Sequence, residues 1–174
     1  MRADAKRVVL IRRSFSSGLG VVCGVGAQWA LVRIIDDLRV DGWECLRVRD
    51  VEAITRGTHE RFAEKVLRLK SSVPPLSLES THALLEGLPA RRLVILECEG
   101  DGDFLLGRML ALDEHSVVIH TIDAAGHWCG HATRVRLDDL TKVKFGDHYS
   151  AIFQRHGATW HAPRSTRERS RGPT

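Results

Sequence analysis

Residues 104–149 read FLLGRMLALDEHSVVIHTIDAAGHWCGHATRVRLDDLTKVKFGDHY. Apolar and polar residues alternate along much of this stretch, the period of a strand with one buried face. Asp113-Glu114-His115 and Asp138-Asp139 interrupt the alternation at points where a chain turns. The pattern predicts strands over 104–112, 116–123, 133–137 and 140–144. A fifth strand over 92–98 precedes them, with a hairpin turn at Gly100–Asp103, and a closing helical turn follows over Asp147–Phe153.

The first half of the chain carries a worn copy of this stretch. Moved by 87 positions, Gly20–Asp36 falls on Gly107–Asp123 without a gap: Gly20 meets Gly107, Val22 meets Met109, and Ile35-Asp36 meets Ile122-Asp123. A longer loop in the second copy then changes the offset to 89, so that Val51, Ile54, Gly57 and His59 meet Leu140, Val143, Gly146 and His148. Five short strands per copy describe a small, strongly bent β-barrel, and two copies predict a mainly β chain of two tandem barrels. In the first copy the strands are read over 7–13, 20–25, 29–35, 44–49 and 51–55, with turns at Ser14–Gly18, Gly26–Gln28 and Asp41-Gly42. Alternation and repeat equivalence point Val22, Val25, Leu31, Ile54, Met109, Leu112, Val118 and Val143 inward.

Two helices lie between the copies. Thr58–Lys70 has an apolar stripe of Phe62, Val66 and Leu69, expected to cover an open barrel end or a neighbouring sheet. Ser77–Glu86 is stopped by Gly87. Ser71–Pro75 breaks the chain between them, because two prolines cannot continue a helix. The expected domains are therefore 1–75, a barrel with the helix after it, and 76–154, a barrel with the helix before it. Residues 155–174 have no periodicity and many arginines, and are expected to form a disordered basic tail.

Gly107-Arg-Met-Leu-Ala-Leu-Asp113 resembles the first signature of Sm-like (SH3-like) barrels: a glycine, an apolar residue two on, another five on, then aspartate. More broadly, residues 7–153 resemble uncharacterised bacterial proteins with two tandem Sm-like small β-barrels, through Gly107-Arg108, Ile122-Asp123, Gly126, Trp128 and Val143-Lys144-Phe145-Gly146. The resemblance implies a fold and no activity. Sm proteins that bind RNA place Asp and Asn after the second strand and a basic-Gly pair near the fourth. Here the first position is Asp113 or Gly26, the second Val117 or Ala30, and the pair is replaced by Asp138-Asp139 and Arg49-Asp50. The uridine-binding chemistry of that family is thus missing from both copies.

Charge divides the chain in three. Residues 1–75 hold 14 Lys/Arg against 9 Asp/Glu, a surplus of +5; residues 76–154 hold 7 against 12, or −5; the tail holds 5 against 1, or +4. No apolar run nears the roughly 20 residues that span a bilayer, and no secretory signal is expected, since Arg12 and Arg13 interrupt the short apolar run near the start. Four scattered cysteines without a CxxC pair read as free thiols of a cytoplasmic protein.

His127, Cys129 and His131 are metal candidates by residue type, with His115 and His120 near in sequence. Three ligands in five residues strain to surround one ion, and the alternative is a loop whose Trp128 packs on the barrel. No nucleophile elbow, Walker loop or HExxH motif is present, so neither catalysis nor a cofactor is expected. The basic ends supply candidate nucleic-acid contacts in Arg12, Arg13, Arg164, Arg167, Arg169 and Arg171, directed at phosphate and not at sequence. The favoured expectation is a non-catalytic two-barrel interaction or scaffold protein, self-associating or binding a protein partner, with non-specific RNA binding as the alternative.

Overall fold

The computed structural model describes residues 7–13, 16–67, 72–89, 91–98 and 104–169. Its described part is mainly β: eleven strands and three short α-helices. The first half contributes β1 (Val9–Arg13), β2 (Ser16–Val25), β3 (Trp29–Asp36), β4 (Arg39–Arg47) and β5 (Val51–Thr55), then α1 (Thr58–Val66). After α2 (Thr81–Glu86) come β6 (Leu93–Cys98), β7 (Phe104–Leu112), β8 (Ser116–Thr121), β9 (Ala132–Arg136) and β10 (Leu140–Phe145). Helix α3 (His148–His156) and β11 (Thr166–Glu168) close the described chain.

All eleven strands belong to one open sheet, in the order β11-β9-β8-β7-β6-β10-β4-β3-β2-β1-β5. Where two tandem five-stranded barrels are expected, the sheet found is continuous and is not closed. Each half does repeat one strand order, with its fifth strand beside its first and its fourth at the far end, but the halves are sewn together where β10 pairs with β4. In that joint Val143 stands opposite Cys45 and Phe145 opposite Trp43. The largest apolar cluster crosses the joint, taking Trp29, Leu31, Trp43 and Cys45 from the first half and Leu96, Ile119, Leu140 and Val143 from the second. The break at 71–75 therefore separates neither the sheet nor the core.

The repeat survives at the level of individual hydrogen-bonded pairs. Val21↔Arg33, Val22↔Val32 and Gly24↔Leu31 in β2–β3 have their counterparts 87 residues on in Arg108↔His120, Met109↔Ile119 and Ala111↔Val118. The bulge falls at the same step in both. Gly20 and Gly107 are demanded by close approach: a Cβ on Gly20 would collide with the Val32 side chain, and one on Gly107 with the His120 carbonyl. Side chains gather equivalently too. Val9, Ile11, Val22, Val32, Leu46 and Val51 form one cluster, and the residues at the equivalent ladder positions, Val94, Leu96, Met109, Ile119, Val135 and Leu140, belong to the large one.

One residue of β2 departs from expectation: Val25, expected inside, is 65% exposed, although its equivalent Leu112 packs on the large cluster. Ile54, also expected inside, is 55% exposed, whereas Leu31, Val118 and Val143 are buried and Val22, Met109 and Leu112 are half-buried against the clusters.

Three further expectations shift. The β3–β4 hairpin turns at Asp37-Leu38, both with positive φ, and Asp41-Gly42 lies within β4. Helix α1 turns Glu60 and Ala63 inward and leaves Phe62 and Val66 exposed. The third stripe residue, Leu69, lies outside the described residues, as do Ser14 and the Gly100–Asp103 turn. The tail is ordered as far as it is described: α3 runs to His156, and Thr166–Glu168 pair with β9 in parallel. Its hydrogen bonds come from backbone groups and Trp128, which hydropathy does not register.

Candidate interaction surface

The joint is polar on the face opposite its apolar core. Along β10, Val143 and Phe145 enter the core, so period-two alternation sends Lys142 and Lys144 to the other side. Lys142 Nζ lies 2.5 Å from Glu97 of β6, and Lys144 Nζ lies 3.4 Å from Asp41 and 3.8 Å from Asp147. Arg13, its side chain 8% exposed, reaches Glu97 at 3.5 Å and Asp50 at 4.0 Å. Glu44 stands opposite Lys144. Burial pushes its carboxyl upward, against the pull of Lys142 and Lys144.

A groove of about 770 Å³ opens above this row, walled by Phe104, Tyr149 and Ile152, all more than 40% exposed. The Phe104 and Tyr149 rings meet edge to face at 6.0 Å. The lysines on its floor are already matched by carboxylates, so the groove presents apolar surface over a self-neutralised base and no concentrated charge for an anion.

Arg47 is a functional residue in the sense that it holds the halves together, and it was missed. It is buried, donating through Nε to the Leu140 carbonyl at 2.9 Å and through Nη2 to the Leu137 carbonyl at 2.8 Å. Its Nη1 donates to Gln28 Oε1, which also accepts from the backbone N–H of Thr81. Arginine ending an alternating strand gave no signal, because its acceptors lie about 90 residues away.

The two outer edges of the sheet differ. Beyond β5 no strand pairs among the described residues. Ile54 projects there, and Phe62 (54%) and Val66 (49%) are exposed on the helix that follows. The β9 edge is covered by β11. Residues 158–165 lead to it across the second half: Ala158 bonds to Gly126, Trp128 Nε1 donates to the Ala158 carbonyl at 2.9 Å, and Arg108 lies over the Trp160 ring at 4.9 Å.

The metal candidates do not converge. His127 is exposed and faces Asp123 at 3.8 Å, while the Cys129 carbonyl receives His120 Nε2 at 2.7 Å. No group of three His, Cys, Asp or Glu among the described residues is placed to hold a metal. Trp128 packs on a small apolar cluster, its ring tilted against that of buried His120 at 4.9 Å. Of the basic candidates, Arg12, Arg164 and Arg167 are exposed, Arg13 is committed to Asp50 and Glu97, Arg169 is half-buried, and Arg171 lies outside the described residues. No helix among the described residues is long and apolar enough to cross a membrane.

Compared with known proteins, the chain matches no family model, no curated protein and no solved structure.

Proposed function

We infer that the chain is a non-catalytic interaction protein of two tandem, partly open Sm-like barrels, with β5 and α1 as its partner-binding edge. One comparison carries this reading. Val143 and Ile54 are repeat-equivalent, yet Val143 is fully buried between Leu96 and Cys45, whereas Ile54 pairs with Ile11 on one side, has no strand on the other among the described residues, and is 55% exposed. Within the chain, then, this repeat accepts a neighbouring strand at its fifth strand, and the first copy retains that capacity unused. An open strand edge flanked by exposed apolar side chains is a template for strand addition. The four free cysteines accord with a cytoplasmic, reducing setting.

The test is affinity capture from the source cell with three baits: the native chain, Ile54→Lys and Phe62→Lys. Both changes fall on exposed positions, so the fold is retained. A protein held by the native bait and lost with Ile54→Lys supports the edge. Equal capture by all three baits contradicts it.

A further inference from the structure

We propose that residues 164–169 form a displaceable strap on the β9 edge, and that β9 beneath it is the docking strand for the β5 edge of a second copy. The proposal rests on the reading of β5 as an interaction edge, and adds the partner and the device that withholds it.

At an offset of 89, β9 is the equivalent of β4. Their pairing with the preceding strand is the same: Trp29↔Arg47 and Val32↔Glu44 in the first half, Ser116↔Arg136 and Ile119↔Thr133 in the second. The other edge of β4 is filled by β10, a fifth strand, antiparallel, which buries Val143 and Phe145 in the joint. The other edge of β9 is filled by β11, which has three residues, runs parallel, and leaves Thr166, Arg167 and Glu168 all exposed. Its attachment is backbone and charge: Arg164 N–H to the Gly130 carbonyl, Ala132 N–H to the Ser165 carbonyl, Arg169 N–H to the Arg134 carbonyl, and Arg134 Nε to Glu168 at 3.3 Å. A strand that buries no apolar side chain is a placeholder, held far less firmly than β10. The root of the strap is separate, because Trp128 and Arg108 grip Ala158 and Trp160 upstream.

Transferring the β4–β10 register gives the intermolecular ladder. Ala53 stands opposite Val135, Ile54 opposite Arg134, Thr55 opposite Thr133 and Arg56 opposite Ala132. Ile54 then lies along the aliphatic stem of Arg134, whose Nη1 keeps its bond to Asp113 when Glu168 departs. The pairing is head-to-tail, and brings the half carrying +5 against the half carrying −5.

The experiment is sedimentation of the full chain, of a chain ending at Pro163, and of each carrying Ile54→Lys. Ending at Pro163 removes β11 and keeps the Trp160 anchor. The full chain is expected to sediment as a monomer, the shortened chain to assemble with rising concentration, and shortened Ile54→Lys to remain monomeric. Mixing shortened Ile54→Lys, which offers only β9, with the full chain, which offers only β5, is expected to give a one-to-one complex that grows no further. Arg167→Pro in the full chain, which breaks the β11 ladder without shortening, should assemble as the shortened chain does and guards against misfolding of the truncation. A shortened chain and an Arg167→Pro chain that are both folded and both monomeric would overturn the strap while leaving the β5 reading standing. Assembly indifferent to Ile54→Lys would overturn the role of β5 itself.

Discussion

At position 47 an arginine ends an alternating strand, and burying it is costly unless its N–H groups find acceptors. They find the Leu137 and Leu140 carbonyls and Gln28, and the two bonds to carbonyls cross from one half to the other. Arg47→Ala leaves two carbonyls without their donor, and is expected to lower unfolding free energy by about 2–4 kcal/mol in urea titrations. Ile54→Ala, on an exposed position, should stay within about 0.5 kcal/mol. Asp113 governs the β7–β8 turn. Hydrogen bonds from the Ser116 hydroxyl, then from backbone N–H groups and Arg134, hold its carboxyl down to about 2. A depressed carboxyl contributes stability that is present above its unfolded pKa and is lost as pH falls through its folded one. The stability of the native chain should therefore fall between about pH 4 and pH 2, and Asp113→Asn should flatten that part of the curve in thermal melts at stepped pH.

At the scale of elements, Asp41-Gly42 shows what a turn-like dipeptide does inside a strand. Gly42 has φ of +73°, and a Cβ there would strike the backbone of Asp147 at the start of α3. Asp41 Oδ1 accepts the His148 N–H at 2.7 Å. A strand of the first half thus seats a helix of the second. Gly42→Ala should cost about 1–3 kcal/mol by calorimetry, while Gly18→Ala, which meets open space, should be neutral. The repeat itself was legible in the sequence because two glycines and an alternating pattern encode the β2–β3 and β7–β8 register locally. The β4–β10 joint was not, since one backbone edge meeting another leaves no side-chain mark. For the same reason the exposed side of α1 was misread: its apolar stripe follows helical period, but the neighbour expected to cover it is absent among the described residues. The candidate site was legible only as residue types. The His127–His131 loop and the basic ends were visible, whereas the exposed β5–α1 edge emerged from knowing which strands are already paired.

For the molecule as a whole, one fused sheet replaces two beads on a linker. The salt bridges of Arg13, Lys142 and Lys144 lie along the joint, so part of the charge counted from composition is consumed inside the molecule. Nucleic-acid binding, if it occurs, falls to Arg12, Arg164 and Arg167. Gel shifts with poly-U and mixed oligonucleotides should then show weak binding, lost between about 50 and 200 mM salt and without uridine preference. Tight, salt-tolerant, uridine-selective binding would return the chain to the RNA-binding Sm proteins.

The central claim is that, among the described residues, equivalent strands are paired on both sides in one half and on one side in the other. Amide hydrogen exchange of the intact chain, compared between Lys142–Phe145 of β10 and Ala53–Arg56 at the equivalent positions, tests it directly. The account predicts protection of every amide in the β10 segment, against fast exchange at alternate amides of the β5 segment, whose outward N–H groups meet water. Equal protection of the two segments would show that β5 is already covered, and would contradict the account.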